Sequence, residues 1–419
     1  MTEIETFISD WVRAHFTGEC ALLAALVRIP TDNPPGDCAA HAGEAAQRLR
    51  ELGLPVQEFP LPAATVRGAG MVAATNLIVR HRFGPGPTIA LNAHGDVVPP
   101  GLGWTHDPYG AEVVQDAGHG PVMYGRGVAV SKSDFATYTY ALLALQALAA
   151  RGPALRGTVE LHFTYDEETG GEIGPRWLLE QGHSRPDFAI SAGFSYAVTT
   201  AHNGCLHLEV TVRGRQGHAA MPESGVDALA AANRILTALY ASRGDLGRIG
   251  SATPGISHPT LNVGLIEGGI NTNVVPDRVS FRIDRRIIPE ESPQQAEAQL
   301  RALIESAGAQ PGITLELRRI LQAAPLVKLP GAERLTQALQ RHGAVFFDTP
   351  IAEHGVPLYT DARHYAATGI PTVLYGAGPR TLAEANGHGA NECLRLNDLQ
   401  RATSTVACAL VDLLSDAAT

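Results

Sequence analysis

Thr88-Ile-Ala-Leu-Asn92-Ala-His94-Gly-Asp96-Val-Val-Pro99 decides how the chain is read. The apolar run 88–92 reads as a short buried strand, and it delivers a histidine and an acid two residues apart. In an extended chain that spacing puts both side chains on one side. The acid can then orient the imidazole of a metal ligand. A lone His near an Asp is more often a loop hydrogen bond, so the pattern gains weight only from what surrounds it.

Outward from this strand, helical and strand patterns alternate. Residues 20–28 and 39–52 read as amphipathic helices, 76–80 as a strand, and 134–150 as a long helix stopped by Gly152-Pro153. A strand at 158–164 runs into an acidic turn. Such alternation implies an α/β domain with a mostly parallel sheet and helices on both faces. Near Asn203 the texture changes: a period-two strand at 206–212, a helix at 226–239, strands at 260–266 and 278–283, a helix at 293–306 and a strand at 313–317. That is the β-α-β-β-α-β order of a ferredoxin-like α+β unit. The α/β texture returns after about 325 and ends in a helix at 397–414. The expected organisation is one α/β domain, 1–202 and 319–419, with an α+β domain inserted at 203–318.

Composition narrows the function. Over 419 residues, 45% are hydrophobic and 18% charged, which excludes a disordered or coiled-coil chain. A formal net charge of −10 argues against nucleic acid as a partner, since that binding rests on Lys and Arg neutralising phosphates. The longest apolar stretch, 141–150, is about half a membrane span, so no membrane partner is expected. Met1-Thr-Glu-Ile-Glu is acidic where a secretory signal would be basic, which points to a cytoplasmic protein. The five cysteines are scattered without a C-x-x-C pair and read as reduced thiols.

Four clusters could carry chemistry, and those following predicted strands sit where ligands collect in open α/β sheets. The first is His94-Gly-Asp96. The second, Asp166-Glu167-Glu168, places three acids in a row; a bound cation offsets their repulsion and leaves one carboxylate free to take a proton from water. The third is His388, flanked by Gly387 and Gly389, whose freedom lets the backbone present the ring into a cleft. The fourth lies in the inserted domain, where His218, Asn273 and Arg286 could together hold a substrate carboxylate and a developing oxyanion.

The order of these clusters resembles the metallopeptidase family of aminoacylase, glutamate carboxypeptidase and succinyl-diaminopimelate desuccinylase. The likeness spans nearly the whole chain. It is carried by His94-x-Asp96-Val-Val-Pro99, Trp104, Asp107-Pro108, Tyr124-Gly-Arg126-Gly127, Asp166-Glu167-Glu168, Gly217-His218, Asn273-Val-Val-Pro276, Thr360-Asp-Ala-Arg363 and His388-x-x-Asn391-Glu392. The resemblance implies a zinc-peptidase-like domain carrying a lid or dimerisation domain, in a homodimer or higher homo-oligomer. It implies His94, Glu168 and His388 as metal ligands, Glu167 as general base and Asp96 as the residue orienting its histidine. It also implies that His218 reaches into a partner's site and that Asn273 and Arg286 hold the substrate carboxylate.

Two departures follow from the same comparison. The aspartate that bridges two metals in the family is Val130 here, and the acid expected after the next strand is replaced within Ile190-Ser-Ala-Gly193-Phe194-Ser195. Two divalent ions about 3.5–4 Å apart repel by about 17–19 kcal/mol even at an effective dielectric near 20, and no shared carboxylate remains to offset this. The expectation is one weakly held divalent ion per subunit, Mn, Zn, Co or Fe.

The expected activity is hydrolysis of a C–N bond in a small carboxylate-bearing substrate. A relative with unusual chemistry, 5-nitroanthranilate aminohydrolase, suggests hydrolytic deamination of an aromatic amino acid. The alternative is an N-acyl-amino-acid amidohydrolase or dipeptidase. A binding protein that kept the fold and lost turnover would also tolerate Val130 and Gly193, but would have no evident need of Glu167.

Overall fold

Ile89, Ala90 and Leu91 are all fully buried, so the strand Thr88–His94 has no solvent face and belongs in the middle of a sheet. In the computed structural model, which describes residues 1–415, it does. Gly157–Thr164 and Phe188–Ser191 flank it in parallel, and Thr372–Leu374 lies parallel beyond the latter. Thr75–Gly84 and Val56–Pro60 continue the sheet in antiparallel fashion on one side. Ala197–His202 and Ala352–Val356 complete the order of eight on the other.

Parallel neighbours require crossovers, and these cover the sheet on both faces. Ile89 and Leu91 point into the main core, which includes residues of Glu3–Val27, Lys132–Ala149, Ala332–Phe347 and Leu396–Ser415. Ala90 points the other way, against Ala189 and Tyr365. The helix read at 20–28 is the end of Glu3–Val27. Its start carries a signal the periodicity hides: Thr2 and Glu5 form a reciprocal capping box. A second, three-stranded sheet of Cys393–Arg395, Gly120–Tyr124 and Glu112–Asp116 is absent from the sequence expectation, because its strands are short and half-exposed and show no buried alternation.

The chain divides into two units. The first comprises Met1–Thr200, Lys328–His354 and the described residues from Thr360 onward; the second comprises Ala201–Val327 with Gly355–Tyr359. The second unit is an antiparallel sheet in the order Thr260–Gly268, Arg278–Ile287, Gly204–Arg213, Thr314–Ala323. Helices Ala228–Leu246 and Pro293–Gly308 start at the N-caps Asp227 and Ser292. Both pack on one sheet face, against Leu206, Leu208, Val210 and Val212. The last strand runs to Ala323, so the boundary expected at 318/319 falls inside a strand, and the unit also takes in 355–359. Among the described residues no helix is long and apolar enough to cross a membrane.

A buried ion pair joins distant loops of the first unit. Arg126 Nη1 donates to Glu392 Oε2 at 2.7 Å, and Glu392 Oε1 accepts from the amides of Ala129 and Val130. Arg126 Nη2 also donates to the carbonyls of His388 and Gly389. Removing one member leaves the other charge buried without its counter-ion. Arg126→Met is therefore expected to cost about 3–5 kcal/mol in denaturant unfolding; a loss under about 1 kcal/mol, the range of exposed pairs, would show that the tie carries no weight.

Candidate metal-dependent active site

Parallel pairing sets His94 directly opposite Thr164, so the His94-Gly-Asp96 and Asp166-Glu167-Glu168 segments leave the sheet side by side. Gly95 fits between His94 and Asp96 because a Cβ there would fall 2.5 Å from the ring of Tyr165. Asp96 is fully buried. Its Oδ1 accepts from the Glu167 amide at 3.2 Å; its Oδ2 accepts from the Glu168 amide at 3.1 Å and from Asn33 Nδ2 at 2.9 Å.

His94 Nδ1 lies 3.0 Å from the Asp96 carbonyl oxygen and 3.4 Å from Asp96 Oδ1. Both are acceptors, which assigns the proton of the neutral ring to Nδ1 and leaves the Nε2 lone pair free. Nε2 lies 3.9 Å from Glu167 Oε2. One ligand atom each from His94, Glu167 and Glu168 lie within 4.8 Å of one another.

Further acids surround this group. Asp166 Oδ2 accepts from the Ile173 amide at 2.7 Å, while its Oδ1 is buried without a hydrogen bond. Asp361, buried at the start of the short helix Ala362–Ala367, accepts from Thr164 Oγ1 at 3.3 Å. Burial, followed by Asp361 and Asp96, pushes the Asp166 carboxyl well above the usual range; burial does the same to Glu167, with Glu168 adding to it against the pull of His94. Asp361 is raised to about 7 by burial and Asp96, against the pull of His94 and Arg363. Burial opposes charge on His94, but Glu167, Asp96 and Glu168 outweigh it and hold the imidazole well above its ordinary value. The cluster takes up protons to offset negative charge, and a cation would do the same. Glu168 Oε1 fits that reading, since it is buried with no hydrogen bond.

His388 Nε2 lies 3.4 Å from that same oxygen, at ion-pair distance but without hydrogen-bond geometry. His388 adopts a left-handed backbone (φ 62°), and its side chain is half-exposed. The structure thus brings His94 to Glu167 and Glu168, and His388 to Glu168, whereas the mutually close group around His94 does not include His388.

In the inserted unit, His218 and Asn273 stand on neighbouring exposed loops: the Ala219 amide donates to the Asn273 carbonyl, and His218 bridges to Val274. His218 Nδ1 accepts from the Ala220 amide at 3.1 Å, which leaves an Nε2 proton to donate. Arg286 is bonded to Asp284 through Nε and Nη2, both at 3.0 Å, rather than standing free for a ligand.

Asn33, Arg126, Asp361 and Glu392 had no assigned role in the sequence reading, although Arg126, Asp361 and Glu392 stood within its motifs. Asp134, one turn beyond Val130, does not replace the missing ligand. Its Oδ1 accepts from the Ala377 amide at 2.7 Å, and burial raises its pKa to about 7.

Known proteins bear out the class. The family profile described as Peptidase family M20/M25/M40 matches residues 90–412. The chain is 28% identical over 372 residues to aminoacylase-1 of Sus scrofa, covering 84% of this chain and 85% of that protein. It is 30% identical over 297 residues to succinyl-diaminopimelate desuccinylase of Granulibacter bethesdensis, 68% of this chain and 70% of that one. In fold it matches the dipeptidase Dug1p of Saccharomyces cerevisiae, with TM-score 0.77 and 14% identity over 99% and 100% of the two chains. It also matches YXEP of Bacillus subtilis, a dinuclear metal-binding peptidase, with TM-score 0.65 and 18% identity over 96% and 99%.

The family match and these relatives therefore define a metal-dependent hydrolase acting on C–N bonds. The chain belongs to peptidase family M20/M25/M40.

Asp96→Asn replaces an acceptor with a donor and leaves the Glu167 or Glu168 amide unpaired, at a cost of about 1–3 kcal/mol. It is expected to weaken divalent-metal affinity by about 10–100-fold, read by calorimetric titration; unchanged affinity would remove Asp96 from the support of the site.

Proposed function

We propose that this protein hydrolyses the amide bond of a small N-acylated amino acid or dipeptide bearing a free carboxylate, with one divalent transition-metal ion per subunit. The observation that carries this reading is the Glu167 carboxyl: partly buried, pushed up in pKa, and beside both His94 and Glu168. Aminoacylase-1 and the desuccinylase, as amide hydrolases, support an acyl substrate. The aromatic deamination expected above has no counterpart in either, and the acyl reading takes its place.

His94, Glu168 and His388 would hold the ion, Mn, Fe, Co or Zn by donor type, with a carboxylate oxygen of Glu168 close to His94 and its Oε1 close to His388. When bound, such an ion would supply Lewis-acid activation of water and of the substrate carbonyl. Glu167 accepts a proton from the attacking water and returns it to the leaving amine. Asp96 fixes the His94 ring and, through two backbone amides, the position of Glu167 and Glu168. His218, with its Nε2 proton, is the inserted unit's candidate donor to the developing oxyanion. Asn273 and Arg286 are its candidates for the substrate carboxylate, and Arg286 must then share or leave Asp284. A homodimer or higher homo-oligomer belongs to the same reading.

One ion rather than two is favoured by what surrounds the departures. Val130 has no donor and packs against the apolar core. At Gly193 an added Cβ would fall 2.7 Å from Leu374 Cβ and 2.8 Å from the Tyr375 nitrogen, so an acid there requires the backbone to move.

Glu167→Gln should keep the bound ion and lose about 10²–10⁴-fold in kcat on N-acyl amino acids, since general acid–base catalysis contributes on that order. Turnover that survives the substitution would end the assignment. Across a substrate panel, release of free amino acid supports the acyl reading, and ammonia release from aminobenzoates alone would overturn it.

A further inference from the structure

We propose a second metal site, in the inserted unit, formed by Cys205, His207 and Asp284 and suited to a zinc-class ion. Cys205 and His207 lie two apart on the strand Gly204–Arg213 and so share a face. It is the face opposite Leu206 and Leu208, which are buried under the helices. Asp284 stands directly across from His207 in the neighbouring strand, and Arg286 across from Cys205. The register thus collects a thiol, an imidazole and a carboxylate, with one ligand atom of each lying within 4.8 Å of the others.

The spacing suits tetrahedral coordination. With bonds of about 2.0–2.3 Å, tetrahedral ligand atoms sit roughly 3.3–3.6 Å apart. His207 Nε2 lies 3.4 Å from Asp284 Oδ2, already at that separation. The mixed sulfur, nitrogen and oxygen set matches zinc and its spectroscopic substitute cobalt, and not calcium or magnesium. Thiolate and carboxylate together balance the two charges of the ion. Cys205 is fully buried, while His207 and Asp284 are each about one-third exposed, so solvent reaches the group from their side. Arg286 also bonds Asp284, through Nε and Nη2, yet each carboxylate oxygen has two lone pairs and accommodates both partners.

Cobalt(II) titration of the metal-stripped full chain reads this site separately from the catalytic one. A thiolate bound to cobalt gives a near-ultraviolet charge-transfer band, and His94, Glu167, Glu168 and His388 include no sulfur. The wild type should develop the band to an amplitude of one thiolate-bound ion per chain, complete by two equivalents of cobalt because the catalytic site takes up the other. Glu168→Ala should retain it, and Cys205→Ser should lose it. His207→Ala, with folding confirmed by circular dichroism, should also lose it, so the test stands if the serine variant misfolds. Absence of the band in folded wild type, or its persistence in Cys205→Ser, would overturn the site. Neither result bears on whether Glu167 and its neighbours catalyse amide hydrolysis.

Discussion

The carboxylate of Asp96 is the contact on which the active site rests. It is fully buried, yet it accepts from three donors: the amides of Glu167 and Glu168 and the side chain of Asn33. Such a buried acceptor cannot be removed without leaving orphaned amides. Through these bonds Glu167 and Glu168, the proposed base and the proposed acidic ligand, are held by their backbones, which leaves their side chains free. The same residue lies against His94 Nδ1 and directs the other ring nitrogen toward Glu167. The result is a concentration of negative charge that only protons or a cation can offset.

The sheet makes this arrangement possible. Two parallel strands end level with one another at His94 and Thr164, and the loops that follow carry most of the donors. Ligands collect at this end of open α/β sheets because side chains from successive loops converge there. The Arg126–Glu392 pair then fastens the His388 loop to the segment containing Val130. Consequently Val130, where the resemblance places a bridging acid, is tied down at its backbone and apolar in its side chain.

Much of this was legible in the sequence, for identifiable reasons. The run 88–92 is short and largely apolar, and 158–164 sets Val159, Leu161 and Phe163 in period two; the structure extends them by only a few residues, to Thr88–His94 and Gly157–Thr164. The inserted unit declared itself through strict alternation at 206–212. What escaped depended on contacts between residues far apart in the chain. Asp361 meets Thr164 across 197 residues and Arg126 meets Glu392 across 266, and no local pattern encodes either pairing. Cys205, His207 and Asp284 are brought together by strand register, which spacing alone does not fix.

The central claim is that the losses at Val130 and Gly193 leave room for one catalytic ion. Anomalous diffraction at the manganese edge, from crystals grown in excess Mn²⁺, tests it most directly. The account predicts a single peak among His94, Glu168 and His388, with nothing beside Val130. Two peaks of comparable height about 3.5–4 Å apart at that position would contradict it.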